Sequence, residues 1–169
     1  MPEPQDHTKD RNSIETILRQ IPGFRGYLEK EYRRESDALQ RDWLADRLQR
    51  SKRSIDEMTR PLADAGHIDL LPQADRLRGR IDKLIGRIRG AMQGYSGFFD
   101  LVQVDEALLD RVYQYDVDLI AHVDTLAGAV DALPGSPEPA PKVLAEAMQQ
   151  AEELERLWDL REDIIAGLE

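Results

Sequence analysis

IDKLIGRIRGAMQGYSGFFDLVQV, Ile81 to Val104, is the stretch whose reading decides the fold. Leu77, Ile81, Leu84, Ile88, Ala91 and Tyr95 fall at alternating steps of four and three, one apolar stripe along an amphipathic helix. Gly86, Gly90 and Gly94 lie four apart on that helix. A glycine inside a helix costs about 1 kcal/mol relative to alanine. Three in register therefore predict a compensating contact, a partner helix approaching a face without side chains. On that reading Gly90→Leu should overpack the contact and lose stability. The helix is expected to dissolve in an aromatic joint, Gly94-Tyr95-Ser96-Gly97-Phe98-Phe99-Asp100, where the chain changes direction.

Upstream of this stretch, a helix of some 40 residues is expected from Arg25 to Gly66, a residue suited to a left-handed cap. Leu44, Leu48, Ser51, Ile55, Met58, Leu62 and Ala65 keep a strict heptad in its second half, and Pro61 should bend its end. The link Gly66-His67-Ile68-Asp69 is short, which makes the two helices antiparallel neighbours. Pro72 fits the first turn of the second of them. Before Arg25, Ser13 caps a short helix with Ile14, Ile17, Leu18 and Ile21 on one face, ended by Pro22-Gly23. That segment either folds back over Phe24, Tyr27 and Leu28 or lies in a membrane interface. With only Arg19 and Arg25 on offer, it lacks the basic face such interfaces favour. Residues 1–12 are polar with two prolines and are expected to be disordered.

Downstream, Asp105 is an N-cap, with Val104 and Leu109 spaced as a hydrophobic staple. The helix it opens carries Leu109, Val112, Asp116, Leu119, Val123, Leu126, Val130 and Leu133 on its seam. A proline-rich loop, Leu133 to Pro141, leads to a last helix with Ala147, Ala151, Leu154, Trp158, Arg161 and Ile165 in the same rhythm. The expected fold is all-α: an antiparallel helical bundle of two long helical hairpins plus a short N-terminal helix. Residues 13–169 form one domain. The long helix outreaches its partner, and around Tyr32, Leu39, Trp43 and Leu44 it needs cover from the N-terminal helix or from a second copy.

Two polar residues, Asp116 and Arg161, interrupt the otherwise apolar seams of the second hairpin. Asp116 lies 17 residues before Leu133 and Arg161 lies 20 after Pro141. At about 1.5 Å per residue both stand roughly 26–30 Å from the loop, level to within a turn. The pattern predicts a partly buried ion pair that sets the hairpin's register.

Of the 169 residues 41% are hydrophobic, 33% charged and 6% aromatic, a mixture that suits helices. There is no cysteine, which excludes disulfides and thiolate metal sites. With no signal-like leader and no run of roughly 20 apolar residues, a cytoplasmic protein is expected. The net charge of −10 is divided unevenly: +3 up to Phe99 and −13 from Asp100 onward. Arg76, Arg80, Lys83 and Arg87 form a basic stripe beside the apolar seam of the glycine-bearing helix. Glu152, Glu155, Asp159 and Glu162 form an acidic stripe on the last helix. The two are expected to lie side by side within the bundle, which leaves nucleic-acid binding as an unfavoured alternative.

Ile21-Pro22-Gly23-Phe24-Arg25-Gly26-Tyr27, Lys30-Glu31, Arg33-Arg34-Glu35 and Asp37 form one motif, and Gly94 to Asp100 followed by Tyr115-Asp116 a second. Together they resemble a group of uncharacterised bacterial helical proteins with an IPGxxGYxxKExRRExD opening and a GYxGxFD joint. The resemblance covers about Ile21 to Leu133. It implies a bacterial, intracellular origin and attaches no activity.

Catalytic and metal constellations are poorly supported. His7, His67 and His122 include no Glu-x-x-His pair of the kind that builds bundle iron sites. Asp64, His67 and Asp69 straddle a link where polar residues are expected. Ser96 with His122 lacks the strand and final glycine of a nucleophile elbow. The expected function is a non-enzymatic interaction or scaffold protein, without cofactor, packing with itself as a homodimer or with a protein partner. A nucleic-acid or anionic-surface binder and a metal-binding bundle are the alternatives.

Overall fold

Apolar residues at steps of three and four, punctuated by proline and glycine, leave the chain only helices to form. The computed structural model describes residues 13–91, 105–135 and 139–167, and among them every long element is an α-helix. Residues 13–20 are α1, Lys30–Asp64 is α2, Leu71–Arg89 is α3, Glu106–Ala132 is α4 and Ala140–Ala166 is α5. A 3₁₀ turn, Ile68–Leu70, leads into α3, and another, Leu133–Gly135, follows α4. Gly66 takes φ +80°, left-handed backbone that only glycine adopts freely, and so turns the chain out of α2. Asp105 caps α4 by accepting from the Ala107 N–H at 2.8 Å.

The interior is one hydrophobic core drawn from every helix. It runs from Ile17 and Ile21 through Leu44, Leu48, Leu77 and Ile81 to Val123 and Leu154. Ion pairs give the directions. Arg89 meets Asp46 and Arg78 meets Asp56, so α2 and α3 are antiparallel. Asp116 meets Arg161 across α4 and α5 while Ala121 and Thr125 lie opposite Glu146 and Gln150, so these two helices are antiparallel as well. Arg47 and Ser54 reach Asp131, and Gln40 reaches Asp116, so α2 and α4 run parallel. Arg80 with Glu155 and Arg87 with Glu162 make α3 and α5 parallel. Within each connected pair the helices oppose, and across the pairs like directions meet.

Four expectations change. Helix α2 starts at Lys30 and not at Arg25, because Gly26 takes φ +88° and breaks any helix across residues 25–29. Its 35 residues span about 52 Å. The overhang is covered by the chain itself: Leu44 is fully buried, and Leu39 and Trp43 pack on the core. Helix α3 ends at Arg89, with Gly90 as its cap. A 3₁₀ turn, Leu133–Gly135, opens the segment expected to be loop, while α5 starts at Ala140, within a residue of the expected start.

The glycine face is the fourth. Gly86 and Gly90 are exposed, and a Cβ on Gly86 would meet nothing within 4 Å. No helix approaches them, because the stripe Leu77, Ile81, Leu84 and Ile88 has already turned the other side of α3 to the core. Gly94 lies outside the described residues, as do the joint residues Tyr95, Gly97, Phe98, Phe99 and Asp100 and the segment 1–12. Gly86 therefore costs helix propensity with no packing to offset it. Gly86→Ala is expected to raise stability by about 0.5–1 kcal/mol in urea unfolding. A destabilised variant would mean that the face is covered.

Candidate functional site

Over residues 21–29 the chain is neither helix nor strand, yet Ile21, Phe24 and Tyr27 are buried. This strap crosses the bundle because two glycines let it turn, Gly23 at φ +83° and Gly26 at φ +88°. Any Cβ on Gly26 would also collide with the Tyr113 hydroxyl. That hydroxyl accepts from the Tyr27 N–H at 2.8 Å, and the two rings lie 5.3 Å apart. The strap's backbone is satisfied by α2: Arg33 Nε donates to Tyr27 O at 2.6 Å, and the Arg25 N–H donates to Ser36 Oγ at 3.1 Å.

The Tyr27 side chain reaches the interior, where polar residues cluster. Its hydroxyl donates to Asp116 Oδ2 at 2.5 Å. Asp116 Oδ1 accepts from Arg161 Nε at 2.6 Å and from Gln40 Nε2 at 3.0 Å. Arg161 Nη2 donates to Asp37 Oδ1 at 2.8 Å and to the Tyr27 hydroxyl at 3.2 Å. Asp37 Oδ2 in turn accepts from Arg41 Nε at 2.8 Å, and Arg41 Nη1 donates to the backbone oxygens of Ile88 and Arg89. Two carboxylates and two guanidiniums thus balance, and they tie the strap, α2, the end of α3, α4 and α5 together.

Burial dominates the electrostatics. Asp116 and Arg161 are both 0% exposed. Desolvation lifts the Asp116 carboxyl above its ordinary value, against the pull of Arg161 and of the bonds it accepts. Desolvation also opposes the charge on Arg161, but Asp116 and Asp37 outweigh it and hold the guanidinium charged. The Tyr27 hydroxyl is raised well above 10.0, by burial first and by Asp116 next. Burial raises Tyr113 as well. The guanidinium of Arg161 also stands over the Trp158 ring, 5.5 Å from its centre. Arg161 Nη1 and Gln40 Oε1 have no hydrogen-bond partner.

The seam residues Asp116 and Arg161, read from the sequence as facing each other, are in direct contact here. Their partners Tyr27, Asp37, Gln40 and Arg41 do not stand out in the sequence as such. The signal existed: carried backward from Leu44, the four-three rhythm of α2 lands on Arg41 and then Asp37. A heptad position occupied by a charge still faces the core.

The basic stripe is spoken for. Arg80 reaches Glu155 at 2.7 Å and Glu152 at 3.8 Å, and Lys83 reaches Glu155 at 3.4 Å. Arg87 reaches Asp159 at 2.5 Å and Glu162 at 3.1 Å. Arg76 turns back on its own helix, donating to Pro72 O. Asp64, His67 and Asp69 are all exposed. Among the described residues no three His, Asp or Glu side chains form a metal-binding group, and no helix is long and apolar enough to cross a membrane. No family model matches the chain, and neither a curated protein nor a solved structure matches it.

Removing one partner of a buried pair strands the other, at about 3–5 kcal/mol. Asp116→Ala and Arg161→Ala should each lose that much in chemical unfolding, and the double variant much less than the sum. Additive losses would mean that the two do not act as a pair. The tyrosines give a pH signature. A raised folded pKa means that Tyr27 keeps its proton where the unfolded chain has lost it. Its contribution is complete below pH 10.0 and is lost as pH rises beyond. Tyr27→Phe should cost about 1.5–3 kcal/mol at neutral pH, the range for a hydrogen bond to a charged group, and should flatten the decline above pH 10.0. An unchanged alkaline slope would place the hydroxyl in water.

Proposed function

We propose that this chain is a non-enzymatic bacterial, cytoplasmic interaction protein, a rigid helical block that offers the outer face of α4 and α5 to a protein partner. One observation carries the reading: the polar groups best suited to chemistry are used to hold the helices together. The charges of the buried cluster are paired within it, and Arg80, Lys83 and Arg87 of the basic stripe are matched by carboxylates of α5. Anionic ligands such as nucleic acid therefore find Arg80, Lys83 and Arg87 already paired.

On α4 and α5 what remains outward is mostly acidic. Of the excess that begins at Asp100, Asp124 and Asp131 meet Arg47 of α2, while Asp105, Glu106 and Glu146 stay exposed. A partner with a basic contact face fits, its association quickened by charge and weakened by salt. Self-association is the weaker form of the reading, because the strap lies on the surface on which two copies would have paired, with Gly23 against Leu39 and Arg25 over the Tyr32 ring.

Light scattering should accordingly give the monomer mass of 19.3 kDa over a wide concentration range. A doubled mass would shift the reading to homodimer. Captured partners should be proteins that release at about 1 M salt, where the screening length is near 3 Å. Capture of nucleic acid, abolished by nuclease, would overturn the proposal, and so would a capture indifferent to salt.

A further inference from the structure

Polar atoms inside a folded protein are almost always hydrogen-bonded, to the protein or to an ordered water. Two atoms of the buried cluster meet no protein group, Arg161 Nη1 and Gln40 Oε1. Neither is relieved by turning its own side chain. Reversing the Gln40 amide would set its oxygen against Asp116 Oδ1, and two acceptors repel. The guanidinium of Arg161 is planar and rigid. Its bonds from Nε to Asp116 and from Nη2 to Asp37 and Tyr27 therefore fix where Nη1 points. The Trp158 ring beside it attracts the charge but offers no lone pair to the Nη1 hydrogens.

The two atoms are complementary, since Nη1 only donates and Oε1 only accepts. They are also neighbours. Each belongs to a planar group whose nitrogen holds the same oxygen, Asp116 Oδ1, from Arg161 Nε at 2.6 Å and from Gln40 Nε2 at 3.0 Å. Both residues are fully buried, which closes the place to any ligand that reaches in from the surface.

The chemistry of the occupant follows from what it would face. An anion would meet the Oε1 lone pairs, and a cation would meet the Nη1 hydrogens. Asp37 and Asp116 already balance Arg41 and Arg161, so no further charge is called for. The small neutral molecule that both accepts from Nη1 and donates to Oε1 is water.

We infer that one internal water binds between Arg161 Nη1 and Gln40 Oε1 as a member of the cluster. It adds a second joint between α2 and α5 beside the direct pair of Arg161 with Asp37. This inference is independent of the partner-binding reading and stands or falls on the core alone.

A high-resolution crystal structure of the whole chain tests the position. Density for one water should lie within about 3.2 Å of both Nη1 and Oε1. Magnetic relaxation dispersion of isotopically labelled water oxygen tests the count in solution, because it detects waters held longer than the protein takes to tumble. Gln40→Met keeps the length of the side chain and removes the acceptor, and a buried water needs at least two polar partners to be held. The variant should therefore show one long-lived water fewer than the parent. Density that is absent, that bonds only one of the two atoms or that scatters as an ion would overturn the inference. An unchanged count in a folded Gln40→Met would overturn it as well. Where that variant does not fold, the density in the parent decides alone.

Discussion

A carboxylate removed from water costs several kcal/mol unless its oxygens find donors, and Asp116 is removed completely. Three donors meet it, each from a different part of the chain: Tyr27 from the strap, Gln40 from α2 and Arg161 from α5. Any displacement of one part leaves a bare charge in the core. Apolar seams tolerate sliding by a turn, but this cluster does not. It converts a bundle that greasy heptads would hold in several registers into one that is held in a single register. Its contribution is specificity of arrangement more than net stability, since a well-packed apolar replacement would cost little or nothing.

The strap follows from the same constraint. Residues 21–29 make only isolated backbone hydrogen bonds, such as Phe24 N–H to Ile21 O, so several of their backbone groups must be met by side chains. Arg33, Ser36 and Tyr113 do this, and Gly26 is glycine both for its positive φ and for the room Tyr113 needs. The outer ion pairs act differently. Arg80, Lys83 and Arg87 against the carboxylates of α5 are partly hydrated, and such pairs are worth about 0–1 kcal/mol each. They select the parallel contact of α3 with α5 and neutralise one flank, which concentrates the remaining negative charge on α4 and α5.

Much of this was legible in the sequence. The heptad from Leu44 to Leu62, the Asp105 cap and the level heights of Asp116 and Arg161 needed only helix geometry. The glycine spacing misled because a four-residue repeat identifies a face without saying which way it turns. The apolar stripe from Leu77 to Ile88 had already assigned the core side of α3. The first half of α2 was opaque for a different reason. Arg33, Asp37, Gln40 and Arg41 read as surface residues; Arg33 is met by the Tyr27 carbonyl and Arg41 by Asp37 and the end of α3, but Gln40 and Asp37 are met by Asp116 and Arg161, far away in sequence. Periodicity marks a position as internal, but it carries no information about which long-range neighbour satisfies a charge there.

The strap belongs to the cooperative core because the cluster locks it. The Tyr27 amide, which donates to the Tyr113 hydroxyl, reports on that directly. In native-state hydrogen exchange its protection should come within about 1 kcal/mol of the slowest amides of α2 and α4, so that it opens only with global unfolding. Exchange of the Tyr27 amide through a low-energy local opening, with α2 and α4 still protected, would contradict the account.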